Sequence, residues 1–286
     1  MAYLAALRWP DGFRCPHCQT AQAGRTARGL WHCHGCRRQV SVTAGTIFQD
    51  TRKPLRQWFQ AIWHVTNQKH GVSAMGLQRA LGLGSYPTAW TWLHKLRRAM
   101  VRPGRDRLSG LIEIDETFLG GQRSGRPGRA AAGKALVLVA AQEVAPRKIG
   151  RIRLRRIPDA SMETLHEAIA EVVEQGATVR TDAWRGYNSL DVIGCERTIA
   201  RKDAVVGEDA LPLVNRVASL LKRWLLGTHQ GAVRPSHLDY YLDEFTFRFN
   251  RRTSRSRGLL FRRLLEQAVL VEPWTETQIR GGVPPR

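Results

Sequence analysis

Four of the five cysteines form two pairs whose spacing is typical of a zinc site. Cys15 and Cys18 form one pair, Cys33 and Cys36 form the other, and fourteen residues separate the pairs. Four thiolates on two tight turns can surround Zn²⁺ tetrahedrally, and such a site is closed and structural. The competing interpretation is a secreted protein with disulfides. We expect no secretory signal in the short apolar stretch at the N-terminus, which favours zinc.

Two aspartates lie in apolar, strand-like segments. Alternation along the strand would put Glu113 on the same face as Asp115, and Glu116 on the opposite face. Asp182 closes a second segment, residues 177–182, at the position where α/β sheets place functional groups. A single acid in a strand is usually an ion-pair partner or a turn cap. That interpretation is less favoured for two acids that each lie in an apolar strand.

Asn215, Ser219 and Lys222 recur at helical spacing in residues 213–226, so they share one face of a helix. Apolar residues occupy another face, which would pack against a sheet. Taken alone, this pattern favours an ordinary amphipathic helix with a solvated Asn and Lys. Cys195 stands apart from the other cysteines, and we interpret it as a buried thiol without chemistry.

The elements that would position the two aspartates and the Asn215 face follow an α/β order. Alternating or continuous apolar runs predict strands, and a 3.6-residue period predicts helices. The strands are predicted at residues 111–118, 135–143, 150–157, 177–182 and 196–200, and the helices at 161–175, 213–226 and 237–250. A basic, glycine-rich stretch over 120–133 is typical of a hairpin loop.

The preceding part of the chain is predicted to be a zinc ribbon followed by helices. Strand-like stretches at 29–32 and 39–42 flank the second cysteine pair. Helices are predicted over 74–81, with Ser73 as N-cap, and over 88–100, joined by a Gly-containing turn that fits a helix-turn-helix. The second helix carries the basic residues His94, Lys95, Arg97 and Arg98. The alternative is a helical subdomain that only packs.

Charge indicates an anionic partner. The chain of 286 residues has a formal net charge of +21. Residues 1–104 carry 15 basic and two acidic side chains, so the N-terminal third holds more than half of that charge. This asymmetry points to nucleic acid or an anionic membrane surface, although a GC-rich genome would also enrich arginine. The apolar runs are too short to span a bilayer, so we expect a cytoplasmic protein.

Together these motifs resemble bacterial insertion-sequence transposases that combine an N-terminal zinc ribbon with a ribonuclease-H-like catalytic domain, the insertion-sequence family numbered fifteen ninety-five. The resemblance spans nearly the whole chain. It rests on Cys-Pro-His-Cys and Cys-His-Gly-Cys, on Ile-Glu-Ile-Asp-Glu-Thr-Phe-Leu-Gly-Gly, on Thr-Asp-Ala-Trp-Arg-Gly-Tyr, on the Asn215–Lys222 spacing, and on Tyr-Leu-Asp-Glu-Phe-Thr-Phe-Arg-Phe-Asn-Arg-Arg.

The resemblance implies a DDE-type transposase in its Asp-Asp-Asn-Lys variant. Asp115, Asp182 and Asn215 would hold two Mg²⁺ or Mn²⁺ ions for phosphodiester hydrolysis and strand transfer, and Lys222 would meet a substrate phosphate. Asn215 stands where better-known relatives of this fold have an acid. If Asn215 is not a ligand, Glu208, Asp209 or Glu244 could complete the site. The loop over 120–133 and the arginines Arg248, Arg251 and Arg252 could neutralise the DNA backbone.

The resemblance also implies a domain order. A zinc ribbon would occupy residues 1–50, a helix-turn-helix DNA-binding segment 51–104, the ribonuclease-H-like catalytic domain 105–272 and a mobile tail 273–286. The partners would be terminal repeats and target DNA, bound at the nucleoid by a homodimer or higher multimer, with no membrane. The alternatives are a zinc-ribbon DNA-binding regulator, an inactive transposase relic and a junction nuclease on the same fold.

Overall fold

The computed structural model describes residues 1–102, 104–120, 134–200, 209–231 and 233–282. The chain divides into two compact units. The N-terminal unit consists of Met1–Arg102 together with Ser254–Arg280. The second, here called the sheet unit, comprises the described residues between Gly104 and Thr253 and the short stretch that begins at Gly281.

The N-terminal unit begins with a short helix and a small antiparallel sheet. Helix α1 (Ala2–Arg8) precedes strands β1 (Ala23–Arg25), β2 (Trp31–Cys33) and β3 (Gln39–Val40), which pair in that order. The rings of Phe13 and Trp31 stack with centroids 4.9 Å apart beside the buried Cys15 and Cys33. This aromatic contact gives the ribbon a small apolar core next to its cysteines. Strands β2 and β3 were expected at this place, whereas α1 and β1 were not.

Three helices follow the ribbon, namely α2 (Leu55–Asn67), α3 (Ala74–Leu81) and α4 (Tyr86–Ala99). Ser73 caps α3 by accepting from the backbone N–H of Gly76, and Ser85 caps α4 by accepting from that of Thr88. Gly82 ends α3 in the left-handed region, at φ +58°, where a side chain would be strained. The predicted pair of helices and the Ser73 cap are confirmed.

The sheet unit is built on a five-stranded mixed sheet in the order β6-β5-β4-β7-β8. Strands β4, β5 and β6 are antiparallel, β7 runs parallel to β4, and β8 runs parallel to β7. The sequence placed all five strands to within a few residues. Their bounds are β4 (Leu111–Leu119), β5 (Ala135–Ala145), β6 (Lys148–Ile157), β7 (Thr178–Thr181) and β8 (Glu196–Ile199).

Helices cover both faces of this sheet. Helix α5 (Met162–Val172) packs on one face, and α6 (Pro212–His229) and α7 (Leu238–Phe249) pack on the other. Short 3₁₀ turns lie at Arg185–Tyr187, Leu190–Ile193 and Pro235–His237. Because α6 and α5 bury opposite faces, the side chains of β4 alternate between two different environments. The predicted α/β architecture is confirmed, and the predicted hairpin loop over 120–133 lies, apart from Gly120, outside the described residues.

The two last helices, α8 (Arg257–Ala268) and α9 (Glu276–Gly281), depart from the expected domain order. Helix α8 packs against α2 and α4 and belongs to the N-terminal unit, so the sheet unit ends near Thr253 and not at residue 272. The predicted mobile tail contains α9, whose Ile279 is fully buried. The chain therefore leaves the N-terminal unit and returns to it.

Membrane insertion has no candidate segment among the described residues, since none of their helices combines the length and the hydropathy that crossing a bilayer requires.

Candidate active site and zinc centre

The four paired cysteines converge at the tip of the ribbon. Their sulfur atoms all lie within 4.8 Å of one another. The sulfurs of Cys15 and Cys36 are 3.6 Å apart, and those of Cys18 and Cys33 are 3.4 Å apart. Tetrahedral Zn–S bonds of about 2.3 Å place sulfurs roughly 3.8 Å apart. The donor set and its spacing therefore fit a structural zinc ion, and all five cysteines of the chain are free thiols.

Thr20 prepares one of these thiols for a metal. Its hydroxyl lies 3.4 Å from the sulfur of Cys18. Hydrogen bonds from the side chain and backbone of Thr20 lower the pKa of Cys18 to about 6. Because the thiolate is the form that binds zinc, this contact favours the metal-binding form of Cys18.

The two candidate aspartates follow paired positions on neighbouring parallel strands. Glu113 of β4 pairs in register with Arg180 of β7. Asp115 and Asp182 each lie two residues further along, where β7 ends and the chain turns away. Strands in a sheet are about 4.8 Å apart, so the register places the two aspartates just beyond the same end of the β4–β7 pairing.

A pocket of about 260 Å³ opens between β4, β5 and α6. It contains Asp115 from the strand and Asn215, Ser219 and Lys222 from the helix, as the helical spacing predicts. Asp182 does not line this pocket and is related to Asp115 by the strand register alone. The full lining is Asp115, Glu116, Thr117, Val139, Val214, Asn215, Ala218, Ser219 and Lys222.

Hydrogen bonds orient both aspartates. The backbone N–H of Glu116 donates to Oδ1 of Asp115 at 2.8 Å. The backbone N–H of Trp184 donates to Oδ1 of Asp182 at 3.0 Å. Each carboxylate is thus fixed by one oxygen through a main-chain donor close to it in the sequence.

The amide of Asn215 is oriented by a neighbouring acid. Its Nδ2 donates to Oδ1 of Asp209 at 2.7 Å, and the same carboxylate oxygen accepts from the backbone N–H of Leu211 at 3.1 Å. Since a carboxylate only accepts, the amide nitrogen must face Asp209 and the amide oxygen must face away from it. Asn215 therefore offers an oxygen ligand. Sequence reasoning had treated Asp209 only as a possible substitute for this ligand.

Tyr187 connects the segment of Asp182 to the strand of Asp115. Its hydroxyl donates to Oε1 of Glu116 at 2.6 Å, on the face of β4 that packs toward α5. Burial, reinforced by the charges of Glu116, Asp115 and Asp182, raises the pKa of this hydroxyl well above its usual value. Tyr187 therefore stays protonated and remains a donor.

The motif around Asp182 is also locked by close packing. The indole Nε1 of Trp184 donates to the carbonyl oxygen of Ala160 at 3.0 Å. A Cβ on Gly186 would lie 2.6 Å from that indole nitrogen and 2.7 Å from the same carbonyl oxygen, so only glycine fits. The Trp-Arg-Gly-Tyr sequence thus shapes the turn that follows Asp182.

Arg197 of β8 holds the same turn from the other side. Its guanidinium donates to the carbonyl oxygens of Asp182 at 2.9 Å and Trp184 at 3.1 Å. It also donates to the side-chain oxygens of Thr181 and Asn188, at 3.1 and 2.6 Å. All four acceptors belong to the segment that carries Asp182. Sequence reasoning missed Arg197, because an arginine in a short strand carries no signal for a partner elsewhere in the fold.

Glu113 is the second residue whose importance the sequence understated. It is 1% exposed, and its Oε2 accepts from the backbone N–H groups of Leu213 and Val214 at 2.7 and 3.2 Å. Arg180 lies 3.4 Å from its other oxygen. Burial raises the pKa of Glu113, and the two N–H groups and Arg180 oppose that shift. The expected orientation of Glu113 on the face of Asp115 was the available signal.

The three acids considered as alternatives to Asn215 differ in their position relative to the candidate site. Glu244 is 1% exposed and accepts from Nε of Arg248 within α7 at 2.8 Å, and it does not line the pocket. Glu208 lies outside the described residues. Asp209 contacts the candidate site directly, through the amide of Asn215.

The three arginines predicted to neutralise the DNA backbone also make contacts within the sheet unit. Arg248 pairs with Glu244. Arg251 donates to the carbonyl oxygen of Phe247 at 3.2 Å, and Arg252 donates to those of Ile149 and Gly150. These contacts tie the arginines to α7 and to the start of β6, and their role in neutralising the DNA backbone stays a prediction.

The predicted basic face of α4 also needs correction. His94 is 0% exposed and Arg97 is 1% exposed. Arg98 stacks on the ring of Trp274 at 3.9 Å and donates to the carbonyl oxygen of Glu272. The C-terminal half of α4 is thus committed to packing within the N-terminal unit. Only the start of this helix, at Tyr86 and Pro87, is exposed.

Comparison with known proteins matches both parts of the chain. The model of the ISXO2-like transposase domain covers residues 107–250, which is half of the chain, and that of the transposase zinc-ribbon domain covers residues 1–39. An uncharacterized protein in transposable element ISH50 of Halobacterium salinarum is 28% identical over 272 residues, covering 86% of this chain and 88% of its own length.

Among solved structures, the catalytic core domain of BIV integrase is similar at 15% identity, with a TM-score of 0.32, over 48% of this chain and 81% of that chain. The family rests instead on the sequence models, which span the cysteine pairs at one end and Asp115, Asp182 and the Asn215 helix face at the other. The chain belongs to the family of insertion-sequence transposases that carry an N-terminal zinc ribbon and an ISXO2-like transposase domain.

Proposed function

We propose that this transposase binds the ends of its insertion sequence and catalyses DNA cleavage and 3′-hydroxyl strand transfer as a DDE-type enzyme. The observation that carries this proposal is the pocket that Asp115, Asn215 and Lys222 line together. Asp115 and Asp182 follow paired positions on parallel strands, and Asn215 and Lys222 approach from one face of α6. The mixed sheet with helices on both faces supports the ribonuclease-H-like fold that the resemblance implies.

The donor set fits hard divalent cations. Asp115, Asp182 and the amide oxygen of Asn215 are oxygen ligands of the kind that Mg²⁺ and Mn²⁺ prefer, and no thiol or imidazole of the described residues lines the pocket. Two such ions, when bound, would activate the attacking oxygen and stabilise the leaving oxygen of an in-line displacement at phosphorus. With a neutral third ligand, the substrate phosphate would contribute negative charge that an acid supplies in other sites.

The protein's own residues would orient the substrate. Lys222 lines the pocket two helical turns beyond Asn215 and would hold a phosphate oxygen. Asp209 would keep the oxygen of Asn215 directed away from itself. Arg197 and Tyr187 would fix the segment of Asp182 against β4.

End recognition is assigned in this proposal to the N-terminal unit. Its first segment, residues 1–102, carries 15 basic and two acidic side chains and so most of the net charge of +21. Helices α3 and α4 are joined by a short turn, and the start of α4 is exposed. In a helix-turn-helix, the first residues of the second helix contact base edges, so the start of α4 would take that role. Binding by a dimer or larger assembly would allow two ends to be brought together.

The test is a strand-transfer assay with full-length protein, Mg²⁺ or Mn²⁺, and duplexes carrying the inverted repeats that flank the gene. We expect nicking and joining by the wild type. Alanine at Asp115, Asp182 or Asn215 should lower strand transfer at least about 100-fold, with end binding nearly unchanged. Asp191→Ala, a change of an exposed acid in the 3₁₀ turn at Leu190–Ile193, is the matched control.

Two outcomes would contradict the proposal. Specific binding without nicking by the wild type would favour a DNA-binding regulator or an inactive relic. Wild-type strand transfer by Asn215→Ala, with loss of transfer in Asp209→Ala, would make Asp209 the third ligand.

A further inference from the structure

A buried carboxylate links the three elements that carry the candidate metal ligands. Glu113 of β4 is 1% exposed and does not line the pocket. Its side chain contacts the first turn of α6 through one oxygen and Arg180 of β7 through the other. Three separate segments therefore meet at one residue beneath the site.

The contact with α6 replaces a missing local cap. The N-cap position of α6, Leu211, has no side chain that can accept, and the first turn of the helix contains no acid. The free N–H groups at a helix start need acceptors, and the helix dipole favours a negative charge there. Glu113 accepts from two of these groups, those of Leu213 and Val214, so a strand residue supplies the cap.

Each of the three residues in these contacts lies two positions before a candidate metal ligand in the sequence. Glu113 precedes Asp115 by two residues, Arg180 precedes Asp182 by two, and Leu213 precedes Asn215 by two. Any shift of α6 relative to β4 would displace the amide of Asn215 from Asp115 by the same distance. Likewise, if the Glu113–Arg180 contact were lost, β7 could shift relative to β4, and the distance between Asp115 and Asp182 would change.

We propose that Glu113 is a positioning residue which sets the mutual placement of Asp115, Asp182 and Asn215 by holding the start of α6 and Arg180. This inference rests on the proposed function, because it assigns Glu113 to the metal site of that function. It predicts that loss of Glu113 weakens metal binding beyond its effect on folding. Groups that orient metal ligands commonly change metal affinity by about 10–100-fold when they are removed.

Glu143 supplies a matched control. Its Oε2 lies 3.2 Å from Arg180, so it shares that partner with Glu113, but its described contacts do not include α6. Glu143→Gln perturbs the contacts with Arg180 and with the backbone N–H of Arg147, and it leaves both contacts of Glu113 in place. Glu113→Gln retains an oxygen that can accept from Leu213 and loses the ion pair. Glu113→Leu removes both contacts while filling the volume.

The experiment uses full-length protein and has two readouts that need no activity. Hydrogen–deuterium exchange reports protection of the amides at the start of α6. Titration with Mn²⁺ alone, followed by electron paramagnetic resonance of the free ion, gives half-saturation. We expect Glu113→Leu to lose protection at residues 213–214 and to raise the half-saturation about 10-fold or more. Glu113→Gln should show a few-fold effect, and Glu143→Gln should match the wild type.

The outcomes are separable. If Glu113→Leu keeps wild-type protection at the start of α6, the inference is overturned. If Glu113→Leu does not fold, the comparison of Glu113→Gln with Glu143→Gln decides, and equal exchange and equal Mn²⁺ binding in both would overturn it. A wild type that binds no Mn²⁺ would refute the proposed metal site, whereas the exchange data would still test whether Glu113 holds α6.

Discussion

At the scale of single residues, the candidate site depends on side chains that do not face the substrate. Asp115 and Asp182 each receive one main-chain N–H, and Asn215 is oriented by Asp209. Arg197 contributes four hydrogen bonds to the segment of Asp182. Supporting contacts of this kind fix the geometry within which metal ligands act.

We predict that Arg197→Lys lowers strand transfer by about 10–100-fold while end binding stays near the wild-type level. Lysine carries the charge but lacks the planar group that reaches two carbonyl oxygens and two side chains at once. The measurement is strand transfer against end binding for the same preparation. Arg185→Lys, at an exposed arginine of the same turn, is the control, and full activity of Arg197→Lys would show that the charge alone suffices.

At the scale of elements, each part of the sequence that resembles the family has a structural task. The Thr-Asp-Ala-Trp-Arg-Gly-Tyr turn closes around Gly186, and the motif at the end of α7 supplies Asn250. The amide of Asn250 accepts from the backbone N–H of Ile152 at 2.7 Å and donates to its carbonyl oxygen at 3.0 Å, which satisfies the edge of β6 as a further strand would.

The zinc ribbon gives an element-scale prediction. Protein purified under reducing conditions should contain about one Zn²⁺ per chain, and Cys18→Ser should lose that metal, since four thiolates are needed to complete the tetrahedral site. Metal analysis of purified protein is the measurement. Cys195→Ser is the control, because Cys195 is buried in the sheet unit and should leave the zinc content unchanged. Two disulfides and no zinc in the wild type would refute the prediction.

Helix α4 gives a second prediction at the scale of elements. We expect Arg97→Ala to lower the free energy of unfolding by about 2–4 kcal/mol, because its buried side chain would leave a cavity. Non-specific DNA affinity per folded molecule should not change. Denaturant unfolding and DNA binding at several salt concentrations measure the two effects. The exposed Arg79 of α3 is the comparison site, and a uniform loss of DNA binding in Arg97→Ala at unchanged stability would restore the original interpretation of this residue.

At the scale of the whole molecule, the chain passes from the N-terminal unit into the sheet unit and back. Helix α8 contributes Leu260, Leu264 and Leu265 as buried residues and packs against α2 and α4. The N-terminal unit is therefore discontinuous in sequence. A fragment that stops at residue 104 lacks part of the core of the unit that it is meant to represent.

We predict that truncation after Thr253 destabilises the N-terminal unit and not the sheet unit. The removed segment carries α8. Without this helix, the apolar surfaces of α2 and α4 that pack against it are exposed to water. Hydrogen–deuterium exchange of the truncated chain should show lost protection in α2 and α4 and retained protection in β4 and β5. Protection of α2 and α4 equal to that in the full chain would show that residues 1–102 fold without α8.

The sequence by itself determined the parts of this protein that depend on local pattern. Strand alternation and helical period located all five strands of the main sheet and helices α3, α5, α6 and α7, because periodic burial appears directly in the order of residues. The paired cysteines located the zinc site, because two cysteines separated by two residues lie on one tight turn and direct both thiolates toward the same ion. The face shared by Asn215, Ser219 and Lys222 followed from helical geometry alone.

Tertiary structure decided what depends on partners distant in sequence. The contact of Glu113 with the start of α6 joins residues a hundred positions apart. Arg197 lies in β8 and contacts the turn that follows β7. The return of α8 to the N-terminal unit and the burial of Arg97 are likewise set by packing. Whether an arginine faces DNA or the interior is not encoded in its own neighbourhood, because burial depends on which surfaces the fold brings against it.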